Sequence, residues 1–279
     1  MSALAPVRNV LKVWLVLICL CVILGLIGFG IGGVKVASSF VFCGVLLGIA
    51  AYLSLERVVL GMLRAPELPA RDAPDLHAAV ERLAVRAGVA KPRVHVIEKG
   101  PPLALVAGRS AVSSSLVVTE ALVLLPSAAE VEGVLAHELA HVARRDVVVQ
   151  TTAVVLAAAI VETSRIGGWF ERSLLFVLGP LASAVVHALL SPKREFEADE
   201  LAATLCGSPH GLADGLIRLE QAAELVEFAG SAATEPLYTI NPFLEEGVTA
   251  LFVTHPPVGE RVQRLRALDP EWRDKLRAA

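Results

Sequence analysis

Charge is scarce in this sequence. Of its 279 residues only 19% are Asp, Glu, Lys or Arg and 55% are hydrophobic, which excludes an intrinsically disordered chain. The charges nearly cancel, 25 basic against 28 acidic, so no basic excess points to nucleic acid as a partner. Cysteine is scarcer still. Cys19, Cys21 and Cys43 lie in apolar runs, Cys206 stands alone, and no CxxC pair occurs. That excludes a disulfide scaffold and a thiolate metal site. No internal repeat is present. What remains is an excess of hydrophobicity that an ordinary water-soluble enzyme does not carry, and it is unevenly spread.

Val13–Val34 is an uncharged run of 22 residues and Val36–Leu55 one of 20, parted by Lys35. About 20 such residues cross a hydrocarbon core, so both runs read as membrane spans. A cleaved signal peptide ending near Ala37-Ser38-Ser39 is the alternative, but such apolar regions usually hold about 7–15 residues and the first run is longer. Ser173–Ser191, uncharged apart from His187, is long enough to form another span. Val147–Val161 is shorter and contains Gln150, Thr151 and Thr152; its length leaves open whether it crosses or is only buried. Basic residues set the orientation. Arg8, Lys12, Arg57, Arg64, Arg71, Arg144, Arg145, Lys193 and Arg194 flank the outer ends of the runs, whereas the turns offer Lys35, Arg165 and Arg172. The bias puts both termini and the segment between the pairs in the cytoplasm.

Between the pairs the pattern changes. Pro66, Pro69 and Pro74 mark a linker, and Leu76, Val80, Leu83 and Ala87 recur at helical spacing. Arg93–Ile97 alternates as a strand, Leu103–Ala107 and Leu116–Thr119 are β-prone, and a serine cluster parts the last two. Ser127 and Glu130 form a capping-box start to a further helix. The predicted fold is mostly α with a small β-sheet, an α+β zincin-like domain on a four-helix membrane region. The expected divisions are 1–60 for the first membrane pair, 61–146 for the first part of the catalytic domain, 147–192 for the second pair and 193–279 for the rest.

That helix carries His137-Glu-Leu-Ala-His141. Positions i and i+4 share a helical face, so both imidazoles can bind one Zn²⁺ while Glu138 stands beside the open coordination position. A catalytic zinc needs a third protein ligand. Arg194-Glu-Phe-Glu-Ala-Asp199 supplies one: Glu195 and Asp199 share a face, Glu197 points elsewhere, and Asp199 can orient a ligating imidazole through its free N–H. Alone, this stretch would pass for an acidic helix start. Topology links the two motifs, because an even number of crossings between His141 and Glu195 returns the ligand to the same membrane face.

HELAH, a hydrophobic pair and REFEAD together resemble the HtpX-type membrane zinc metallopeptidases, relatives of the Ste24 prenyl-protein peptidases. Val131–His141 with Asp146, Tyr238–Phe243, and Thr254–Val258 with Arg261 extend the resemblance over nearly the whole chain. It implies zinc-dependent endoproteolysis of membrane or misfolded proteins at the cytoplasmic side of a bacterial inner membrane, within protein quality control. The length and four apolar runs fit HtpX better than the larger chamber of Ste24. One departure stands out: Leu103 occupies the place where the family carries an Asn on the strand that holds substrate backbone. A side-chain contact would be lost, whereas main-chain pairing of peptide with the strand could survive.

The expected chemistry has His137, His141 and Glu195 hold one Zn²⁺, which makes a hydroxide available near neutral pH. Glu138 removes a proton from the attacking water and returns it to the leaving amine. By resemblance, His255 or Arg261 lends positive character to the developing oxyanion. The competing class is a non-catalytic membrane scaffold or chaperone with a structural zinc. Four protein ligands would normally close such a site. His77, His95 and His210 read as surface groups, and His187 as a partner of a neighbouring helix. Glu260–Arg277 reads as a solvated helical face whose arginines could touch anionic lipid.

Overall fold

The computed structural model describes residues 5–165, 171–226, 228, 231–243, 252–269 and 271. Helix α1 (Ala5–Leu63) folds back on itself at Gly32 and Gly33, the latter in the left-handed region at φ +68°. The hairpin turn is therefore made by glycines that tolerate this backbone, just ahead of Lys35. Its halves pack closely: a Cβ on Gly44 would lie 2.8 Å from Leu24, and the Trp14 and Tyr52 rings are 6.1 Å apart. The outer surface is apolar and open, with Leu15, Leu26, Ile31 and Leu47 each 62–69% exposed. Such a surface fits hydrocarbon and not water. By length and composition Asn9–Leu63 qualifies as membrane-crossing helix.

A linker held by His77 and His95, whose rings contact Leu68 O and Ala65 O, leads from α1 through α2 (Pro74–Ala87). His95 is buried, contrary to the surface position expected from its isolation in the sequence. Three strands follow: β1 (Arg93–Ile97), β2 (Ala104–Gly108) and β3 (Ser114–Thr119), in the order β1-β3-β2. β1 runs parallel to β3, and β2 antiparallel to it. The serine cluster enters the sheet instead of staying a loop. The buried carboxylate of Glu56, at the end of α1, accepts from Ser115 and Ser113 and pairs with Arg93, which satisfies hydroxyls that burial would otherwise strand.

Short α3 (Glu120–Val123) precedes α4 (Ala128–Ala143), which is capped by Ser127 Oγ accepting from Glu130 N, while the Glu130 carboxylate accepts from Arg218 instead of completing the expected box. α4 is buried from Gly133 through Val142. A Cβ at Gly133 would come within 2.4 Å of Leu212 N, so this glycine lets α4 press against the backbone at Gly211 and Leu212. Next come α5 (Asp146–Arg165), α6 (Glu171–Leu189), α7 (Lys193–Cys206), α8 (His210–Leu225), a 3₁₀ turn (Ala232–Leu237) and α9 (Val258–Ala267).

α5 explains its own mixed sequence. Val147–Val154 is buried in protein, where Thr151 Oγ1 accepts from Gly108 N and donates to Val147 O. Gln150 donates to Pro236 O. α6 is long and apolar enough to cross a membrane only when joined to α7 across a 47° bend. Arg8, Arg165 and Arg172 have no described side chains, and Arg277 lies outside the described residues. His187 contacts Ser183 O of its own helix and Val253 O of a non-helical segment, not the neighbouring helix expected of it. Among the described residues two hydrophobic clusters result. One joins the sheet, α2, α4, α7, α8 and α9; the other joins Val13 to Val148, Ala157, Val186, Leu189 and Phe252.

Candidate metal centre

Successive turns of α4 bring His137 and His141 to one face, with Nε2 atoms 3.2 Å apart. The start of α7 brings Glu195 to them: its Oε2 is 3.4 Å from His137 Nε2 and 3.5 Å from His141 Nε2. Three corners of a tetrahedron drawn at zinc-to-nitrogen or zinc-to-oxygen bond length lie about 3.3–3.4 Å apart. Two imidazoles and a carboxylate at these separations could hold a metal ion. All three side chains are at most 2% exposed. Glu195 Oε2 has no hydrogen-bond partner, a buried acceptor that a cation would satisfy.

Charge balance points the same way. Burial disfavours the Glu195 carboxylate, yet the His141 and His255 rings hold it well below the ordinary carboxylate range. Burial likewise disfavours a charged His141, but Glu195 and Asp146 raise it to about 9. The cluster is built around a positive charge.

Each ring is oriented by an acid on its other nitrogen. His137 Nδ1 lies 2.9 Å from Asp199 Oδ1 and His141 Nδ1 3.2 Å from Asp146 Oδ2. His255 Nδ1 lies 2.9 Å from Glu235 Oε1, and its Nε2 faces Glu195 Oε2 at 3.7 Å. An acid on Nδ1 leaves Nε2 directed at the common centre, the arrangement usual for ligating histidines. Asp199 is held in turn by Arg261, whose Nε and Nη2 donate to it at 2.8 and 2.7 Å. Burial opposes the Asp199 charge, and the guanidinium more than restores it, keeping the carboxyl below its usual range. Arg261 is fully buried, so the solvated face expected for this helix is corrected here: α9 turns Arg261, Val262 and Leu265 inward. Glu197 points away, as expected, onto Arg144 and Lys193.

Glu138, beside His137, is 1% exposed. Thr239 Oγ1 donates to its Oε1 at 2.7 Å, and its Oε2 has no partner. Thr239 is thereby fixed on three sides, because its N–H donates to Ala104 O and its carbonyl accepts from Arg261. The outer edge of β2, the one that main-chain pairing with a peptide would use, is thus met by the chain itself. Leu105 bridges antiparallel to Tyr238, and Thr151 takes the Gly108 N–H. Leu103 precedes the strand, buried, with both main-chain groups bonded to Thr119. Asp146, Glu235 and Thr239 received no role from sequence reasoning. Asp146 had a signal, five residues after His141; Glu235 and Thr239 arrive only through tertiary folding.

Residues 70–269 match peptidase family M48. A protein from Pelotomaculum thermopropionicum called "Protease HtpX homolog" is 37% identical over 93% of this chain and 99% of its own length. One of the same name from Pyrococcus furiosus is 35% identical over 87% and 89%. The crystal structure of S. mikatae Ste24p aligns with a TM-score of 0.49 at 19% identity, over 95% of this chain and 66% of that longer one. With nearly three-quarters of its length matched by the family and full-length relatives above 30% identity, the chain belongs to peptidase family M48.

Proposed function

We propose that the protein is a zinc-dependent endopeptidase of the bacterial inner membrane that cuts membrane or misfolded polypeptides at the cytoplasmic face, in protein quality control. One observation carries this reading: the ligand atoms of His137, His141 and Glu195 converge beside a buried carboxylate, Glu138, that keeps one oxygen without a partner. The donor set suits a single Zn²⁺. When bound, zinc supplies Lewis acidity towards a peptide carbonyl and makes water a usable nucleophile near neutral pH.

The chain's own groups do the rest. With Oε1 occupied by Thr239, Glu138 takes the proton of the attacking water on Oε2 and passes it to the leaving amine. Asp199 and Asp146 fix the tautomers of the two ligating rings. Arg261 serves by holding Asp199, so the oxyanion contribution falls to His255, whose Nε2 faces the centre while Glu235 holds its Nδ1. The α1 hairpin crosses the membrane twice. α5 and α6 form a second pair, with the polar start of α5 shielded by protein; the divisions at residues 60, 146 and 192 follow from this arrangement.

His255 also favours a second reading. If its Nε2, 3.7 Å from Glu195, closed the site as a fourth ligand, the zinc would be structural and the protein a scaffold. Cleavage of casein by purified, zinc-loaded protein separates the two. Wild type is expected to cut and to stop when chelator is added. Glu138→Gln is expected to keep its zinc and lose at least about a hundredfold in rate. Undiminished cleavage by Glu138→Gln would remove the general base, and a fully metallated wild type without cleavage would favour the scaffold.

A further inference from the structure

We infer that Asn9, on the N-terminal apolar helix, is a positioning residue of the metal centre, acting through Asp146 on His141. This rests on the proposed zinc site. Asn9 Nδ2 donates to Asp146 Oδ1 at 2.7 Å, and Asp146 Oδ2 accepts from His141 Nδ1 at 3.2 Å and Arg144 Nε at 3.0 Å. The carboxylate thus divides its oxygens, one towards the ligating ring and one towards α1. Both partners are buried, Asn9 8% and Asp146 2% exposed, so water does not readily replace the bond.

An acid can hold a ring only if it is itself held. Arg144 Nε and His141 Nδ1 both pull on Oδ2; among the described residues only Asn9 fixes Oδ1, and with it the rotation of the carboxylate about its last torsion. Removing the amide leaves a buried acceptor unpaired and lets Oδ2 drift from His141. The choice of an amide is also specific. Asn donates without adding charge, whereas Asp at the same place would set two carboxylates against each other. One turn further along α1, Lys12 Nζ donates to Leu189 O at 2.9 Å, just ahead of the segment that delivers Glu195. The membrane helix thereby touches the routes of two ligands, and is part of the site's scaffold as well as its anchor.

The test uses full-length protein in detergent, loaded with zinc, and follows the rate of metal release to a chromophoric chelator. Asn9→Ala is expected to release zinc roughly tenfold faster than wild type, and to lower kcat with little change in KM. Asn9→Asp is expected to be worse. The exchange Asn9→Asp with Asp146→Asn rebuilds the bond in reverse and is expected to release zinc more slowly than either single variant. Val13→Ala loosens the packing of the same helix without touching the bond; it should lower the unfolding temperature and leave zinc release at the wild-type rate. Wild-type release from Asn9→Ala, or an exchange variant no better than Asp146→Asn, overturns the assignment. If Asn9→Ala fails to fold, the exchange comparison decides alone. A wild type that takes up no zinc would overturn the functional reading itself, which distinguishes the two failures.

Discussion

Three imidazoles in this protein point one nitrogen at a shared centre and the other at an acid: His137 to Asp199, His141 to Asp146, His255 to Glu235. Such an acid fixes the tautomer and raises the basicity of the ring. Asp199→Asn keeps the shape while weakening that support. It is expected to lower zinc affinity by roughly 10- to 100-fold, measured by competition with a fluorescent chelator, whereas Glu197→Gln should leave affinity unchanged. An Asp199→Asn protein with wild-type affinity would show that the His137–Asp199 contact does not support the metal. His137 with His141, and Glu195 with Asp199, were legible in the sequence as pairs four residues apart on a helix, Glu138 as the residue between the two imidazoles, and the apolar pair between the motifs linked them. Glu235, Thr239 and Asn9 were not, since each reaches the centre through a contact spanning many residues, and none sits in a repeating pattern.

At the level of elements, the sheet was legible as three short strands, but its outer edge was not. Alternation reveals which residues can form a strand, while pairing between distant segments depends on the completed fold. The Leu105–Tyr238 bridge is flanked by the Thr239 N to Ala104 O bond, which makes Leu105 and Tyr238 a closely spaced non-hydrogen-bonded pair. Cysteines at these two positions meet the geometry of a disulfide. In protein whose four native cysteines are replaced, oxidised Leu105→Cys/Tyr238→Cys is expected to lose at least about tenfold in casein cleavage, keep its zinc, and recover on reduction. Equal rates in the oxidised and reduced forms would show that substrate needs no movement of this segment. The same distinction explains α5. Its Gln and Thr residues interrupt a membrane-like pattern because they face β2 and the 3₁₀ turn, a neighbourhood invisible to a hydropathy count.

At the scale of the whole molecule, the described residues are held together by two hydrophobic clusters that share α5, and the second is completed by Val13 from α1. A truncated chain beginning at residue 64 would expose the remaining face of that cluster and lose Glu56 and Asn9 with their bonds. It is expected to run as aggregates in size-exclusion chromatography without detergent and to retain less than about half its zinc; a monodisperse, metallated fragment would show that the catalytic part folds without its anchor. The apolar runs were legible from length alone, but their interlocking with the metal centre was not. Tyr238 and Thr239, finally, occupy the edge of β2 at Leu105 and Ala104 and never diffuse away from it. A tethered segment competes as though present at millimolar concentration, so under the proposed function a peptide that paired with this edge would first have to displace it.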